Sequence, residues 1–208
     1  MKSLKGTRTA ENLAKSFAGE SQARMRYDYF SKVAKKEKQG HISRIFSETA
    51  DNEKEHAKIF YKYLIEGLDP KEVAAEVLVD STYPFGYSDT LHNLKYAGDG
   101  EDEEANMYPD FAEVAKEEGF PEIAASFLNI TEVEKAHRNR YYFLHKALEN
   151  NTLYKSDEKE YWKCVNCGYI YYGEEAPVIC PACKHPQGYF ERLYKPLNET
   201  HVAKKQTT

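Results

Sequence analysis

The chain repeats a set of ionisable residues at a constant offset of 81 positions, and this duplication limits its possible folds more than any other feature. Glu20, Glu53 and His56 return as Glu101, Glu134 and His137. The apolar framework repeats at the same offset, with Tyr27 matching Tyr108 and Phe46 matching Phe127. Repeated apolar residues indicate shared architecture, whereas repeated ionisable residues indicate shared chemistry. A doubled set of one Glu and one Glu-x-x-His pair is what a site for two metal ions requires.

Four long stretches carry apolar residues at helical spacing, so the sequence predicts four helices. Their approximate ranges are 9–39, 41–66, a third that ends near 118, and 122–150. Short joints within each pair predict two antiparallel hairpins, and residues 67–88 are long enough to cross the length of a bundle. We therefore expect a mainly α protein whose four-helix bundle has the ferritin-like arrangement with one long crossover.

Glycine and proline mark the predicted helix ends. Gly40 and Gly119 each follow a charged helix end, where a left-handed cap favours glycine. Pro121 suits the first turn of the fourth helix. Pro109 lies inside the third helix and is expected to kink it, because proline has no amide proton.

The composition changes after residue 150, which predicts a second, smaller domain. We assign residues 1–150 to the bundle and residues 151–160 to a polar linker. Residues 161–195 hold all four cysteines and several aromatic residues without helical periodicity, so we expect a loop-rich metal domain there. Residues 196–208 are expected to form a loosely packed tail.

The repeated acids and histidines are candidate metal ligands because of where they fall. Glu20, Glu53, Glu101 and Glu134 lie on the apolar stripes of their helices, as do His56 and His137. A carboxylate turned into a bundle core costs several kcal/mol unless it is paired or bound to a metal. Glu and His three residues apart share one helix face, so each pair can converge on an ion. Oxygen and imidazole ligands suit iron, manganese or zinc.

Three further residues are candidates for the same site. Glu104 lies on the stripe of Glu101, but its counterpart in the first repeat is Ala23, so it breaks the symmetry. Tyr27 and Tyr108 lie two helical turns beyond Glu20 and Glu101. Two interpretations of these tyrosines stay open: packing in the core, or hydrogen bonds from their hydroxyls to ligand carboxylates.

The four cysteines predict a second metal site. Cys164 and Cys167 form one Cys-x-x-Cys pair, and Cys180 and Cys183 form another. Two such pairs indicate a tetrahedral site of four sulfurs. Zinc ribbons share this spacing, so zinc is an alternative to iron.

The net charge and the lengths of the apolar runs limit which kinds of molecule the protein is expected to bind. The net charge of −5 argues against nucleic acid as the main partner, and no apolar run is long enough to span a membrane. The first residues lack the apolar segment of a signal peptide. From these features we expect a cytoplasmic protein.

At this point the sequence resembles the rubrerythrin family from residue 1 to about residue 195. The motifs that carry the resemblance are Phe17-Ala18-Gly19-Glu20, Glu53-Lys54-Glu55-His56, Met107-Tyr108-Pro109, Glu134-Lys135-Ala136-His137 and the two cysteine knuckles, which are similar to those of rubredoxin. The resemblance implies a ferritin-like di-iron domain followed by a rubredoxin-like domain with one iron ion. It also implies a homodimer, and that Glu104 and His56 exchange as ligands.

The resemblance further implies a peroxidase that protects against oxidative stress. Two ferrous ions would reduce hydrogen peroxide to water, and the iron bound by four cysteines would return the electrons. The donor would be an external reductase or rubredoxin-type protein, drawing ultimately on NAD(P)H. Two alternatives stay open, a ferritin-like iron oxidase or storage protein and a non-enzymatic zinc-binding protein.

Overall fold

Four long helices form the larger part of the protein, whose computed structural model describes residues 2–193. The helices are α1 (Arg8–Lys36), α2 (Gly40–Leu68), α3 (Thr90–Glu117) and α4 (Pro121–Glu149). α1 packs mainly on α2 and α3 on α4, while α1 and α3 join the two hairpins. Residues 69–89 form the crossover between them. The expected bundle of two hairpins is therefore confirmed, and the predicted tail at 196–208 lies outside the described residues.

Side chains cap the first helix of each hairpin. The Thr7 hydroxyl accepts a hydrogen bond from the Ala10 amide at 3.1 Å, and the Asp89 carboxylate accepts one from the His92 amide at 2.9 Å. Such caps satisfy amide groups that the first helical turn leaves unpaired. α3 continues through Pro109 to Glu117, so proline does not end it.

Each of these two helices also caps the other. The Glu118 carboxylate, just after α3, accepts a hydrogen bond from the Thr9 amide in α1 at 2.9 Å. The Glu37 carboxylate, just after α1, accepts one from the Thr90 amide in α3 at 3.0 Å. Both the acceptors and the donors are related by the offset of 81 positions. The duplication therefore extends to the hydrogen bonds that hold the hairpins together.

The turns inside the hairpins correct one prediction. Gly119 has φ of +84°, as expected for a left-handed cap. Gly40 does not take this role, because it is the first residue of α2, and the left-handed residue of that turn is Lys38 with φ of 63°. A β-carbon at Gly40 would overlap the ring of Tyr189, so glycine is needed there for close packing.

The bundle interior holds two aromatic clusters that the duplication relates. One consists of Tyr27, Phe30, Phe46 and Tyr141, and the other of Tyr108, Phe111, Phe127 and Phe60. Each aromatic cluster is part of a larger apolar cluster, and along each helix the repeated glutamate lies between residues of one larger cluster and those of the other. The two clusters therefore close off the glutamates at both ends.

A three-stranded antiparallel sheet follows the bundle. Its strands are β1 (Lys155–Cys164), β2 (Ile170–Glu175) and β3 (Phe190–Leu193), in the order β2-β1-β3. Trp162 is fully buried at the centre, and its indole N–H donates to the Gly173 carbonyl at 2.8 Å. β1 begins inside the range 151–160, so part of the predicted linker is strand.

The sheet unit packs against the turn between α1 and α2. The Tyr154 hydroxyl donates to the Gln39 side chain, and the Tyr189 ring covers Gly40. His41 Nδ1 lies 3.7 Å from the Glu191 carboxylate. Between residues 2 and 193, no helix combines the length and the apolar character that a membrane crossing needs.

Candidate metal centres

The structure brings six of the seven predicted bundle ligands together in the interior. Two groups have ligand atoms within 4.8 Å of one another: Glu20, Glu53, His56 and Glu134 in the first, and Glu53, Glu101, Glu134 and His137 in the second. All six side chains are buried. Glu53 and Glu134 belong to both groups, which is the arrangement that two bridging carboxylates would have between two ions.

Each histidine points Nδ1 at the carboxylates around it. His56 Nδ1 lies 2.9 Å from an oxygen of Glu53 and 2.9 Å from one of Glu134, with Glu20 at 3.7 Å. His137 Nδ1 lies 3.0 Å from Glu134 and 3.2 Å from Glu53, with Glu101 at 3.5 Å. The two histidines thus occupy equivalent places in the two groups.

Unpaired carboxylate oxygens show that this centre fits metal ions. One oxygen of each repeated glutamate is buried and lacks hydrogen-bond geometry to any described residue. These oxygens are Glu20 Oε2, Glu53 Oε1, Glu101 Oε2 and Glu134 Oε1. Each of these oxygens lies 2.9–3.7 Å from a histidine Nδ1 without good hydrogen-bond geometry, so the four together favour a cationic partner at this point.

The pKa values of the groups in this centre also indicate that its carboxylates carry more negative charge than the described residues balance. Burial raises the pKa of the Glu20 carboxyl well above its usual value, and it raises the pKa of Glu101 to about 7. Burial opposes protonation of His137, but the facing carboxylates of Glu101 and Glu134 prevail and raise its pKa to about 12. Protons on the imidazoles therefore balance part of the carboxylate charge that divalent ions would balance.

Each of the two tyrosines donates a hydrogen bond to a glutamate of the other repeat. The Tyr108 hydroxyl donates to Glu20 Oε1 at 2.6 Å, and the Tyr27 hydroxyl donates to Glu101 Oε1. Both tyrosines are fully buried and pack in the aromatic clusters. Both interpretations that the sequence left open are therefore correct, because each ring packs in the core and each hydroxyl donates to a carboxylate.

Glu104 and Asn52 differ from expectation. Glu104 belongs to neither group of ligand atoms, and its Oε1 lies 3.5 Å from the place where a Gly19 β-carbon would be. Asn52, which sequence reasoning missed, has its side-chain oxygen 3.2 Å from His137 Nε2. A hydrogen bond from Nε2–H leaves Nδ1 free to bind an ion. Asn52 directly precedes Glu53, but its partner lies on another helix, so spacing alone could not identify it.

The cysteines form a second candidate centre. Cys164 Sγ lies 3.7 Å from Cys183 Sγ, and Cys167 Sγ lies 3.8 Å from Cys180 Sγ. Sulfurs about 2.3 Å from a central ion lie about 3.8 Å apart in a tetrahedron, whereas a disulfide needs about 2.05 Å. A hydrogen bond from the His185 amide lowers the pKa of Cys183 to about 6, which favours the thiolate. The four sulfurs therefore fit one tetrahedral metal ion.

Family models match both parts of the chain. One described as Rubrerythrin matches residues 11–145 and 92–165. Another, described as the rubredoxin-like domain of rubrerythrin, matches residues 162–191. The rubredoxin-like character expected of the cysteine domain is thereby confirmed.

Curated relatives span nearly the whole chain. A rubrerythrin of Clostridium perfringens is 58% identical, over 92% of this chain and 97% of the relative. A rubrerythrin of Nitratidesulfovibrio vulgaris is 46% identical, over 93% of this chain and 98% of the relative.

Solved structures agree on the fold. Nigerythrin in its fully reduced, all-ferrous state is 28% identical, with a TM-score of 0.58 over 92% of each chain. A bacterioferritin of Desulfovibrio desulfuricans is 21% identical, with a TM-score of 0.53 over 71% of this chain and 87% of that one. The ferritin-like fold is therefore confirmed.

Proposed function

Because the chain belongs to the rubrerythrin family, we propose that it is a non-haem di-iron peroxidase that reduces hydrogen peroxide to water. The observation that carries the proposal is the pair of overlapping ligand groups that share Glu53 and Glu134. This centre occurs in one chain with a four-cysteine centre suited to electron transfer. A storage protein has no need of such a relay.

Iron is the proposed metal at both centres. Carboxylate and imidazole ligands suit iron, and nigerythrin is a relative described as all-ferrous when reduced. When bound, two ferrous ions supply the two electrons that, with two protons, convert one hydrogen peroxide molecule into two water molecules.

Side chains of the bundle would fix the positions of the two ions and of their ligands. Glu53 and Glu134 would hold the two ions a fixed distance apart, because each carboxylate belongs to both groups. Burial raises the pKa of Tyr27 and of Tyr108, so both hydroxyls stay protonated and donate to their carboxylates. The rings of the aromatic clusters flank the centre at both ends.

The cysteine domain is the proposed electron relay. Four thiolates fill a tetrahedral ion, which leaves no position for substrate, so one-electron transfer is its natural task. The electron donor is proposed to be an external reductase or rubredoxin-type protein, drawing ultimately on NAD(P)H.

The experiment compares oxidants. The iron-loaded, reduced protein is mixed with hydrogen peroxide or with dioxygen, and oxidation is followed by stopped-flow absorbance. We expect oxidation by peroxide to be the faster reaction. Faster oxidation by dioxygen would favour the ferritin-like oxidase, and a colourless, iron-free preparation would favour the zinc-binding protein.

A variant of the cysteine centre tests its role independently of the carboxylate centre. Cys180→Ser removes one sulfur ligand from the relay and leaves the bundle intact. We expect one oxidation by peroxide at the normal rate but no sustained turnover with a reductase. Unimpaired turnover would show that the cysteine centre is not the relay.

Four other assignments are proposals of the same kind. They are the domain division at 1–150, 151–160 and 161–195, the homodimer, the cytoplasmic location, and the exchange of Glu104 with His56. Sedimentation velocity tests the homodimer, and crystals of the oxidised and reduced protein test the exchange.

A further inference from the structure

A small cavity of about 40 Å³ lies beneath the crossover, beside the carboxylate centre. Residues 81–84 of the crossover form its roof, and α1 and α3 form its walls. Ser81, Thr82 and Pro84 are exposed, whereas Tyr108 at the inner end is fully buried and bonds to Glu20. The cavity therefore leads from the surface to a side chain that touches a candidate metal ligand.

Two glycines make the space for this cavity. A β-carbon on Gly19 would lie 3.5 Å from Glu104 Oε1 and 3.8 Å from the Tyr83 ring. A β-carbon on Gly100 would lie 3.9 Å from the Arg26 guanidinium. Neither glycine has a positive φ, so no backbone strain calls for glycine at these positions. A side chain at Gly19 or Gly100 would take up space in the cavity that the glycine leaves free.

The cavity wall carries polar atoms without partners. Ser16 is 1% exposed, and its hydroxyl has no hydrogen-bond partner among the described residues. Arg26 Nη1 is buried in the same wall and also lacks one. A hydroperoxide can donate and accept hydrogen bonds, so it can pair with either group as it passes.

Tyr83 closes the outer side of the cavity. Its ring lies over Gly19, and its hydroxyl donates to the Lys15 carbonyl at 3.2 Å. This is the one side-chain hydrogen bond described between residues 81–84 and α1. A single neutral bond is worth about 0.5–1.5 kcal/mol, so the ring is held in place weakly.

We propose that this cavity is the access route by which small hydroperoxides reach the di-metal centre, and that Gly19 and Tyr83 set the largest substrate admitted. The inference rests on the proposed function, of which it specifies the substrate class. A volume of about 40 Å³ accepts a few water-sized molecules but not a branched organic hydroperoxide. The residues of the wall with formal charges are Lys15, Arg26, Glu103 and Glu104, two of each sign, so the wall has no excess of formal negative charge that would repel a small anion.

The first test uses azide as a probe that needs no turnover. Azide binding to the oxidised, iron-loaded protein is followed by stopped-flow absorbance in the wild type, Gly19→Ala and Gly19→Val. A narrower route should slow association and dissociation equally, by about tenfold in Gly19→Val, and leave Kd unchanged. Gly19→Ala should show a smaller effect in the same direction, and its added β-carbon meets only ordinary contacts.

The second test opens the route from outside. Tyr83→Ala should raise the rate of oxidation by tert-butyl hydroperoxide about tenfold relative to the rate with hydrogen peroxide. Phe85→Ala is the matched control, because Phe85 lies on the same crossover, is 90% exposed and is not part of the cavity wall. This control should leave the ratio of the two rates unchanged.

Two results would overturn the proposal. One is an azide association rate within twofold of wild type in both Gly19 variants. The other is an equal response of Tyr83→Ala and Phe85→Ala. Because azide binding involves no peroxide, slowed azide binding without peroxidase activity would refute the proposed function and leave the access route standing.

Discussion

At the scale of single residues, the centre is defined by which carboxylates are shared. Glu20 belongs to the group around His56 alone, whereas Glu134 belongs to both groups. Although both side chains are carboxylates, Glu20 is therefore expected to bind one ion and Glu134 to bind two. The difference follows the duplication, since the glutamates of α1 and α3 each belong to one group and those of α2 and α4 belong to both.

Glutamine substitutions test this difference. Glu20→Gln should lose one bundle ion, and Glu134→Gln should lose both, as measured by elemental analysis after ferrous loading. Glu132→Gln is the control, because Glu132 lies on the same helix and its side chain is 72% exposed. Equal metal content in Glu20→Gln and Glu134→Gln would contradict the bridging role.

The tyrosine hydroxyls give a second prediction at this scale. Tyr108→Phe leaves Glu20 Oε1 without its donor, so we expect a loss of about 1–3 kcal/mol in the free energy of unfolding. Iron affinity should fall about 10-fold to 100-fold, as for other groups that orient a ligand. Denaturant titration and chelator competition measure the two effects.

The control for this substitution is Tyr63→Phe. The Tyr63 hydroxyl is half-buried and bonds to Ser126 at 2.8 Å, away from the carboxylates. We expect its removal to leave iron affinity unchanged. A similar loss of affinity in both variants would show that the Tyr108 effect is general packing.

At the scale of secondary-structure elements, the duplication governs the turns as well as the ligands. Lys38 and Gly119 are related by the offset of 81 positions, and both adopt left-handed backbone conformations. Only Gly119 suits that conformation, because a β-carbon is disfavoured there. The turn between α1 and α2 is therefore the less favourable copy.

Exchanging residue types between the turns should change stability in opposite directions. We expect Lys38→Gly to stabilise the protein by about 1 kcal/mol and Gly119→Ala to destabilise it by about 1 kcal/mol. Thermal unfolding should show Tm shifts of about 2–4 °C in each direction. Shifts of the same sign would show that the φ angles do not control the stability of these turns.

The sequence predicted the helices, and the meeting of six of the seven candidate ligands, because both rest on periodicity, which is local. It failed at Gly40, whose glycine is required by the distant Tyr189 ring rather than by the turn. It missed Asn52, since no spacing relates that residue to His137 on another helix. Comparing Lys38 with its repeat partner Gly119 would have identified the left-handed residue. Residue spacing could not predict contacts between segments that lie far apart in the chain.

At the scale of the whole molecule, the sheet domain rests on the turn between α1 and α2. His41 is half-buried in this contact, and the loss of solvent lowers its pKa to about 4, although the Glu191 carboxylate acts in the opposite direction. Arg44 and Arg140 lower the pKa further, and Glu48 raises it. The contact is therefore built for a neutral imidazole at physiological pH.

This burial predicts that the contact weakens in acid. The neutral form is favoured in the folded protein, so stability is complete above pH 6.5 and is lost as pH falls toward 4. The total loss should approach about 3 kcal/mol. Denaturant titrations of wild type and His41→Gln from pH 7.5 to pH 4.5, with matched metal content, should show a smaller acid loss in the variant. Parallel curves would exclude His41 as the titrating group.

The position of Glu134 on the last helix has a consequence for biosynthesis. A chain that leaves the ribosome from its amino terminus exposes Glu20, Glu53 and His56 early, but neither ligand group is complete without Glu134. An ion therefore cannot have the complete set of ligand atoms of either group until α4 has emerged and folded. Both candidate ion positions are thus completed at the same late stage of synthesis.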